Sequence, residues 1–359
     1  MTSSYTWVQW NKHKKVYDLL MIGLCILFLG AFFVSSSLLY SGDEAISGMI
    51  LAIRAFGVLA IVLLHVILSV GPLARLSVSF SPILYNRRHL GVMMFFAALI
   101  HAGLVLLFYG AFGVRSPFAG MFDGYHAYTS VSGFPFEIMG LFALLILFAM
   151  ASTSHDFWLA FLSARVWKSL HMMVYFAYAF VLLHVVFGAL QSERHIALAA
   201  LLVVGAVAIS GLHLIAGFRE TDRDNSGVSD TDGWVDIGEV EDFPMDKGRV
   251  VCLKNSHRVA IFRHEDGVSA MSNVCAHQGG PLGEGEIVGG CVTCPWHGYQ
   301  YLAENGQSPP PFTEKVPTYE VRVEGERVLL KVEANPPGTP VTPAAIGCGG
   351  SSRTKEDES

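Results

Sequence analysis

The sequence predicts an all-α membrane domain of six transmembrane helices followed by a small all-β domain, and three observations predict it. The 359 residues are 52% hydrophobic and only 15% charged, with a mean hydropathy of +0.45, a balance foreign to ordinary soluble domains. Long apolar runs fill the first two thirds of the chain and stop near Phe218. The last third turns to short alternating runs between glycine-containing turns, the pattern of antiparallel strands. A net charge of -6 leaves no basic stripe for nucleic acid, so no such partner is expected. Six cysteines, three of them within 275–294, are too few and too unevenly placed for a disulfide framework.

The first run, residues 17–40, is long enough to cross about 30 Å of hydrocarbon as a helix. Lys12, Lys14 and Lys15 would suit the basic end of a signal peptide. The length of the run and the lack of an A-x-A site after it favour a retained span. Runs at 50–71, 90–112, 133–151, 170–190 and 196–217 complete the six. In that arrangement Lys12, Lys14, Lys15, Arg75, Arg87, Arg88, Arg165, Lys168, Arg219 and Arg223 fall on one side, and only Arg54, Arg115 and Arg194 on the other. Basic residues stay cytoplasmic, so both termini are expected there, in a multi-pass protein of the cell inner membrane or plasma membrane.

Four segments follow: a membrane domain over 1–218, a linker over 219–233, a β domain over 234–333 and a tail over 334–359. The linker is polar and acidic without apolar periodicity, and as a random coil it would reach on the order of 20 Å. Alternation at 249–253, 258–262, 319–323 and 327–332 marks strands. The Pro-, Gly- and Ser-rich tail is expected to be disordered.

Within the β domain, Cys275-Ala-His277 and Cys294-Pro-Trp-His297 place two thiolates and two imidazoles on two glycine-bounded loops. Two sulfurs can hold one iron of a 2Fe-2S cluster while two neutral imidazoles hold the other. A structural zinc site also takes four Cys and His ligands. The one-residue gap in the first pair, with Pro295 and Gly298 around the second, favours the cluster. The stretch from Ser272 to Tyr301 closely resembles the Rieske family, and the likeness extends over about 100 residues. It implies Cys275, His277, Cys294 and His297 as cluster ligands.

Rieske proteins of the cytochrome bc complexes carry one more cysteine per loop, forming a disulfide beside the cluster. Gly280 and Trp296 stand there in this chain, and Tyr299 replaces a serine that would donate to a cluster sulfur. Fewer donors lower the potential. The resemblance therefore points to the ferredoxin type associated with oxygenases, near about -150 mV. Cys291, Cys252 and Cys25 read as buried residues of strands and of the first span. Trp296, Tyr299 and the proline run ending at Phe312 are expected to cover the cluster.

Ionisable residues inside spans are costly and point to function, and His65, His101, His171, His184 and His213 lie in spans. Imidazole is a natural axial ligand for b-type haem between helices. The fifth span would place His171 near the inner surface and His184 about 20 Å further out, at a depth that His101 can match. The third and fifth spans resemble the ferric reductase-like transmembrane family over about residues 45–215, most of all the haem-binding membrane subunits that serve periplasmic methionine sulfoxide reductase. That resemblance implies His101, His171 and His184 as haem ligands, with Arg87 in contact with haem beside Arg88. Larger members carry a second histidine where Arg87 stands, so the partner of His171 stays open among His65, His89 and His213. His171 and His184 differ by about 220° on an ideal helix, and resemblance rather than helix geometry joins them. His126, His155 and His195 fall in loops, and Glu137 near the start of span four reads as an interfacial charge or a site residue.

No G-x-G-x-x-G follows a strand, so a nicotinamide or flavin reductase region is not expected. A Rieske cluster takes one electron and cannot accept hydride. The expectation is an electron-transfer protein with no catalytic residue of its own and with one or two b-type haems. Electrons would come from a cytoplasmic ferredoxin or flavoprotein reductase and go to an acceptor protein or small molecule outside. A quinone or ferric reductase, and a membrane-anchored Rieske sensor without haem, are the alternatives.

Overall fold

Hydrocarbon offers backbone amides no partner, so each apolar run closes its hydrogen bonds within a helix. In the computed structural model these are α1 (Lys12–Leu39), α2 (Gly48–Leu76), α3 (Ser81–Tyr109), the short α4 (Pro117–Phe122), α5 (Phe136–Ser152), α6 (Ala164–Met172), α7 (Val174–Phe187), the single turn α8 (Ala189–Ser192) and α9 (Ile196–Asn225). The structure describes residues 12–40, 46–77, 80–110, 113–114, 116–122, 134–154, 158, 162, 164–192, 196–225, 233–253, 257–277, 279–296 and 298–346. Arg115, Arg194, His126, His155, His195, His297 and Cys348 lie outside them.

Among the described residues five stretches are long and apolar enough to cross a membrane: Lys15–Leu39, Gly48–Leu76, Asn86–Tyr109, Val166–Ser192 and Ile196–Asp222. The expected fourth span is a helix of 17 residues, Phe136–Ser152, about 26 Å long and short of the usual hydrocarbon thickness. Six full-length spans are thus not what the described residues contain. The stretch Val166–Ser192, the expected fifth span, is also broken. Met173 separates α6 from α7, its N–H donating to the Leu170 carbonyl three residues back at 3.1 Å, and Gly188 ends α7 at φ -104° and ψ -100°.

Ser47 caps α2 by accepting from the Ile50 N–H, and Pro82 starts α3 where no intrahelical N–H is needed. The shared interior of the helices is built from Leu59, Leu63, Leu64 and Leu68 of α2 against Leu90, Met94 and Phe95 of α3. Leu147 of α5, Ala177 of α7 and Ile209 of α9 close it. Apolar side chains on outward faces, such as Leu19, Val207 and Leu214, stay exposed, as a lipid-facing belt requires.

The chain divides into two units at Phe218/Arg219. Helix α9 continues to Asn225, so residues 219–225 are helical, a correction to the expected flexible linker. Arg219 to Asn225 contains no glycine or proline, and nothing there stops the helix. The rest of the expected linker, 226–232, lies outside the described residues.

The second unit holds a six-stranded antiparallel sheet in the order β1-β9-β8-β4-β3-β2 and a three-stranded sheet β5-β6-β7. Its strands are β1 (Trp234–Glu239), β2 (Gly248–Cys252), β3 (Arg258–His264), β4 (Gly267–Ser272), β5 (Glu286–Val288), β6 (Cys291–Thr293), β7 (Gln300–Leu302), β8 (Thr318–Glu324) and β9 (Arg327–Ala334). Successive side chains of a strand point to opposite faces, and β3 buries both. Val259 and Ile261 enter a core with Phe243, Val268 and Leu330. Ala260 and Phe262 enter a second core that contains Cys275, Cys294, Tyr299 and Tyr301. The strand thereby ties the cysteine loops to the main sheet.

The expected disordered tail is corrected in its first half. Val268 and Ala344 exchange both backbone hydrogen bonds at 2.9 Å, and the Val341 N–H donates to the Glu304 carbonyl at 2.7 Å. Composition alone misses such backbone pairing. Residues 347–359 lie outside the described residues.

Candidate redox centres

The two cysteine loops close in the same way. The Gly279 N–H donates to the Cys275 carbonyl at 2.7 Å while the Cys275 N–H donates to the Gly280 carbonyl at 2.8 Å. In the other loop the Gly298 N–H reaches the Cys294 carbonyl at 2.9 Å and the Cys294 N–H reaches the Tyr299 carbonyl at 2.8 Å. Gly279 and Gly298 sit at φ 73° and 70°, a left-handed conformation that glycine adopts at little cost. The Cys-x-x-x-Gly spacing is thus a backbone requirement, and it presents both thiols on tight, matched turns. Both cysteines are 1% exposed.

A Cβ at Gly280 would lie 2.6 Å from Cys294 Sγ and 3.2 Å from the Trp296 ring. Trp296 closes the place that a second cysteine would need. Cys291 is a buried residue of β6. The His277 ring stacks on Tyr299 at 4.4 Å and 8°. Tyr299 donates its hydroxyl to Glu314 and meets Phe312 edge-on at 5.2 Å. Tyr299 and Phe312 thus lie against His277 on this side of the loops.

Among the described residues no three His, Cys, Asp or Glu side chains converge on a single ion. A two-iron cluster asks for something else: two sulfurs toward one iron and two imidazoles toward the other. Cys275, Cys294 and His277 suit that division, and the fourth ligand position, His297, lies outside the described residues.

The structure adds a residue that the sequence reading did not weigh. The Tyr301 hydroxyl lies 3.2 Å from Cys275 Sγ and also accepts the His277 N–H at 3.2 Å. Burial, with the Cys275 sulfur beside it, pushes the Tyr301 phenol well above its ordinary range. It stays protonated and able to donate to a thiolate. The period-two strand pattern places Tyr299 and Tyr301 on one face of the chain, which was the signal available.

In the membrane unit, α3 and α7 bring two of the expected histidines together. The rings of His101 and His184 stand 6.1 Å apart at 84°. His101 Nδ1 is 2.9 Å from the Ile53 carbonyl on α2, and His184 Nδ1 is 2.9 Å from the Phe136 carbonyl that opens α5. A carbonyl only accepts, so each Nδ1 carries the proton and each Nε2 keeps its lone pair.

His171 is arranged differently. Its Nδ1 donates to the Trp167 carbonyl one turn earlier at 3.0 Å, and its ring stacks on Trp167 at 3.6 Å. Its Nε2 is buried without a hydrogen-bond partner among the described residues. Arg87 and Arg88 both lie within electrostatic reach of it.

The other candidates have partners of their own. His65 Nε2 bonds Tyr178 at 3.0 Å, and His89 Nδ1 pairs with Asp18 at 2.7 Å. His213 engages Tyr175 through Nε2 and the Ile209 carbonyl through Nδ1. Glu137 accepts from the Tyr109 hydroxyl at 2.7 Å.

Comparison with known proteins divides the chain at the same place. The family model for the Rieske [2Fe-2S] domain matches residues 233–320, and that for the ferric reductase like transmembrane component matches residues 56–182. The ferredoxin component of the naphthalene 1,2-dioxygenase/salicylate 5-hydroxylase systems of Ralstonia sp is 31% identical over 105 residues, 29% of this chain and 99% of that protein. The ferredoxin component of the alkene monooxygenase system of Xanthobacter autotrophicus is 32% identical over 104 residues, 29% of this chain and 84% of that protein. Among solved structures, the complex of reduced oxygenase and oxidised ferredoxin in carbazole 1,9a-dioxygenase offers a chain of 24% identity that covers 30% of this one and 99% of its own length, with a TM-score of 0.28.

Proposed function

From a chain that belongs to the Rieske 2Fe-2S family and carries a ferric reductase-like transmembrane region ahead of that domain, we propose a membrane electron conduit. When bound, a 2Fe-2S cluster and b-type haems supply one-electron centres, so that single electrons pass between a cytoplasmic donor and an acceptor on the outer side. The observation that carries the reading is the facing pair His101 and His184, with both Nδ1 atoms held by carbonyls. Two imidazoles on opposite sides of one iron have ring centres about 6 Å apart, twice the sum of a nitrogen–metal bond of about 2 Å and a ring radius of about 1 Å. The observed 6.1 Å fits.

Each residue has a defined task. Cys275 and Cys294 would hold one iron of the cluster, and His277 and His297 the other. The Tyr301 hydroxyl donates toward Cys275 and Trp296 excludes a disulfide. His101 and His184 would hold one haem. His171 would hold a second toward the inner surface, with Arg87 and Arg88 offering positive charge to its propionates. Because His65 and His213 already spend Nε2 on tyrosines, neither is our choice as its partner, and His89 is held by Asp18.

The excess of Lys and Arg on one side supports cytoplasmic termini and six crossings, the short α5 included. The donor in this reading is a ferredoxin or flavoprotein reductase. Assays with quinone, ferric iron and a periplasmic protein would tell a terminal reductase from a carrier. The test is a reduced-minus-oxidised visible spectrum of the detergent-purified chain, with haem and iron counted. One 2Fe-2S cluster and two b-type haems per chain are expected. Cluster without haem would replace the conduit by an anchored Rieske protein.

A further inference from the structure

The facing histidines are built twice by one device. His184 follows His101 by 83 positions, Phe136 follows Ile53 by 83, and Gly140 follows Gly57 by 83. Helix α3, shifted by 83, covers 164–192, the stretch occupied by α6, α7 and α8. The core leucine Leu64 has Leu147 at the same offset, and both are buried. The pairs α2–α3 and α5–α7 therefore share one spacing of carbonyl, glycine and histidine, and the two histidine rings meet.

In each pair the imidazole crosses to the other helix and donates to a carbonyl 48 residues earlier in the chain. One turn past that carbonyl stands a glycine. A Cβ at Gly57 would lie 3.0 Å from His101 Nδ1, and one at Gly140 would lie 2.8 Å from His184 Nδ1. The Gly140 distance is one that real Cβ contacts essentially never show, the Gly57 distance is tighter than most of them, and the atom met is the bonded nitrogen of a ring fixed by its hydrogen bond. An added Cβ therefore makes the ring give against its carbonyl bond, more at Gly140 than at Gly57.

We propose that Gly57 and Gly140 are positioning residues for the haem ligands: the missing side chains form a matched pair of slots that fix the imidazole planes and aim both Nε2 atoms into one space. The slots act through the histidines and touch no iron. This inference rests on the reading of His101 and His184 as ligands. The two rings are held at 84°, and crossed axial planes give a ferric low-spin haem a highly anisotropic paramagnetic resonance signal. That signal reports ring orientation independently of electron transfer.

The test compares Gly57→Ala and Gly140→Ala in the full chain with Gly103→Ala, a helix glycine whose Cβ would meet nothing within 4 Å. Alanine favours a helix over glycine, so a loss cannot come from weakened helices. Haem per chain, haemin affinity and the ferric resonance spectrum are read. Both slot variants should bind haemin roughly 10-fold more weakly or show a changed low-spin signal, with the larger effect at Gly140. Gly103→Ala should match the parent. Parent-like haem affinity and signal in both slot variants would overturn the inference while leaving the ligands in place. A parent chain without haem would instead overturn the conduit.

If a slot variant fails to accumulate, His184→Gly supplies the second test. Free imidazole should enter the vacated slot and restore the six-coordinate spectrum, and the added Gly140→Ala should abolish that rescue. Rescue in both backgrounds would count against the slot.

Discussion

The cysteine loops and the facing histidines are held by opposite strategies. Each cysteine is fixed by hydrogen bonds that close within five residues, Cys275 to Gly279 and Gly280, Cys294 to Gly298 and Tyr299. Each facing histidine is fixed by a carbonyl 48 residues away on another helix. The first kind of site is written into a turn and depends on neighbours in sequence. The second depends on helix packing and fails when two helices shift. Perturbing one site should therefore leave the other intact.

The largest effects separate the two regions outright. Cys294→Ser should remove the cluster's paramagnetic signal and leave the haem spectrum at parental intensity. His184→Ala should do the reverse, abolishing the bis-histidine haem while the cluster signal persists. Loss of both centres in either variant would break the comparison. A smaller effect sharpens the cluster side. Tyr301→Phe removes the hydroxyl near Cys275 and should lower the cluster potential by roughly 40 mV, the worth of a hydrogen bond of about 1 kcal/mol on a one-electron couple. An unchanged potential in a redox titration would show that the hydroxyl does not act on the sulfur.

A still smaller effect comes from His264, which bonds Ser269 at 2.8 Å. Burial holds its pKa below 6.5 although Asp266 and Asp246 oppose the shift. The unfolded chain takes up this proton first as pH falls, so stability is full above pH 6.5 and declines below it. The melting temperature followed at the cluster absorbance should fall less between neutral and mildly acid pH in His264→Gln than in the parent. Last, His65→Gln should leave haem content unchanged, because His65 is a core residue bonded to Tyr178. Loss of haem there would return His65 to the ligand set.

What could be read from the sequence follows the same division. The Rieske likeness, strands β2, β3, β8 and β9 and five of the six expected spans rest on local patterns, and they were legible. Tyr301 was not, because its reach to Cys275 depends on how the two loops face each other. The ordered stretch to Ile346 was hidden by its Pro and Gly content, since pairing of Ala344 with Val268 is a tertiary fact. The count of about 220° between His171 and His184 assumed an unbroken helix, and the turn at Met173 interrupts it. Gly57 and Gly140 were invisible as slots because a helix glycine carries no sign of the ring that will pack on it. The offset of 83 was the one available signal, and few identical positions mark it.

The central claim is that one chain carries electrons from a cytoplasmic cluster across the membrane. The direct measurement is transfer in vesicles containing the purified, haem-loaded protein, with a membrane-impermeant reductant on the Rieske side and a membrane-impermeant ferric acceptor on the other. The account predicts acceptor reduction that requires both Cys294 and His184. Reduction no faster than in protein-free vesicles, with haem and cluster both present, would contradict it.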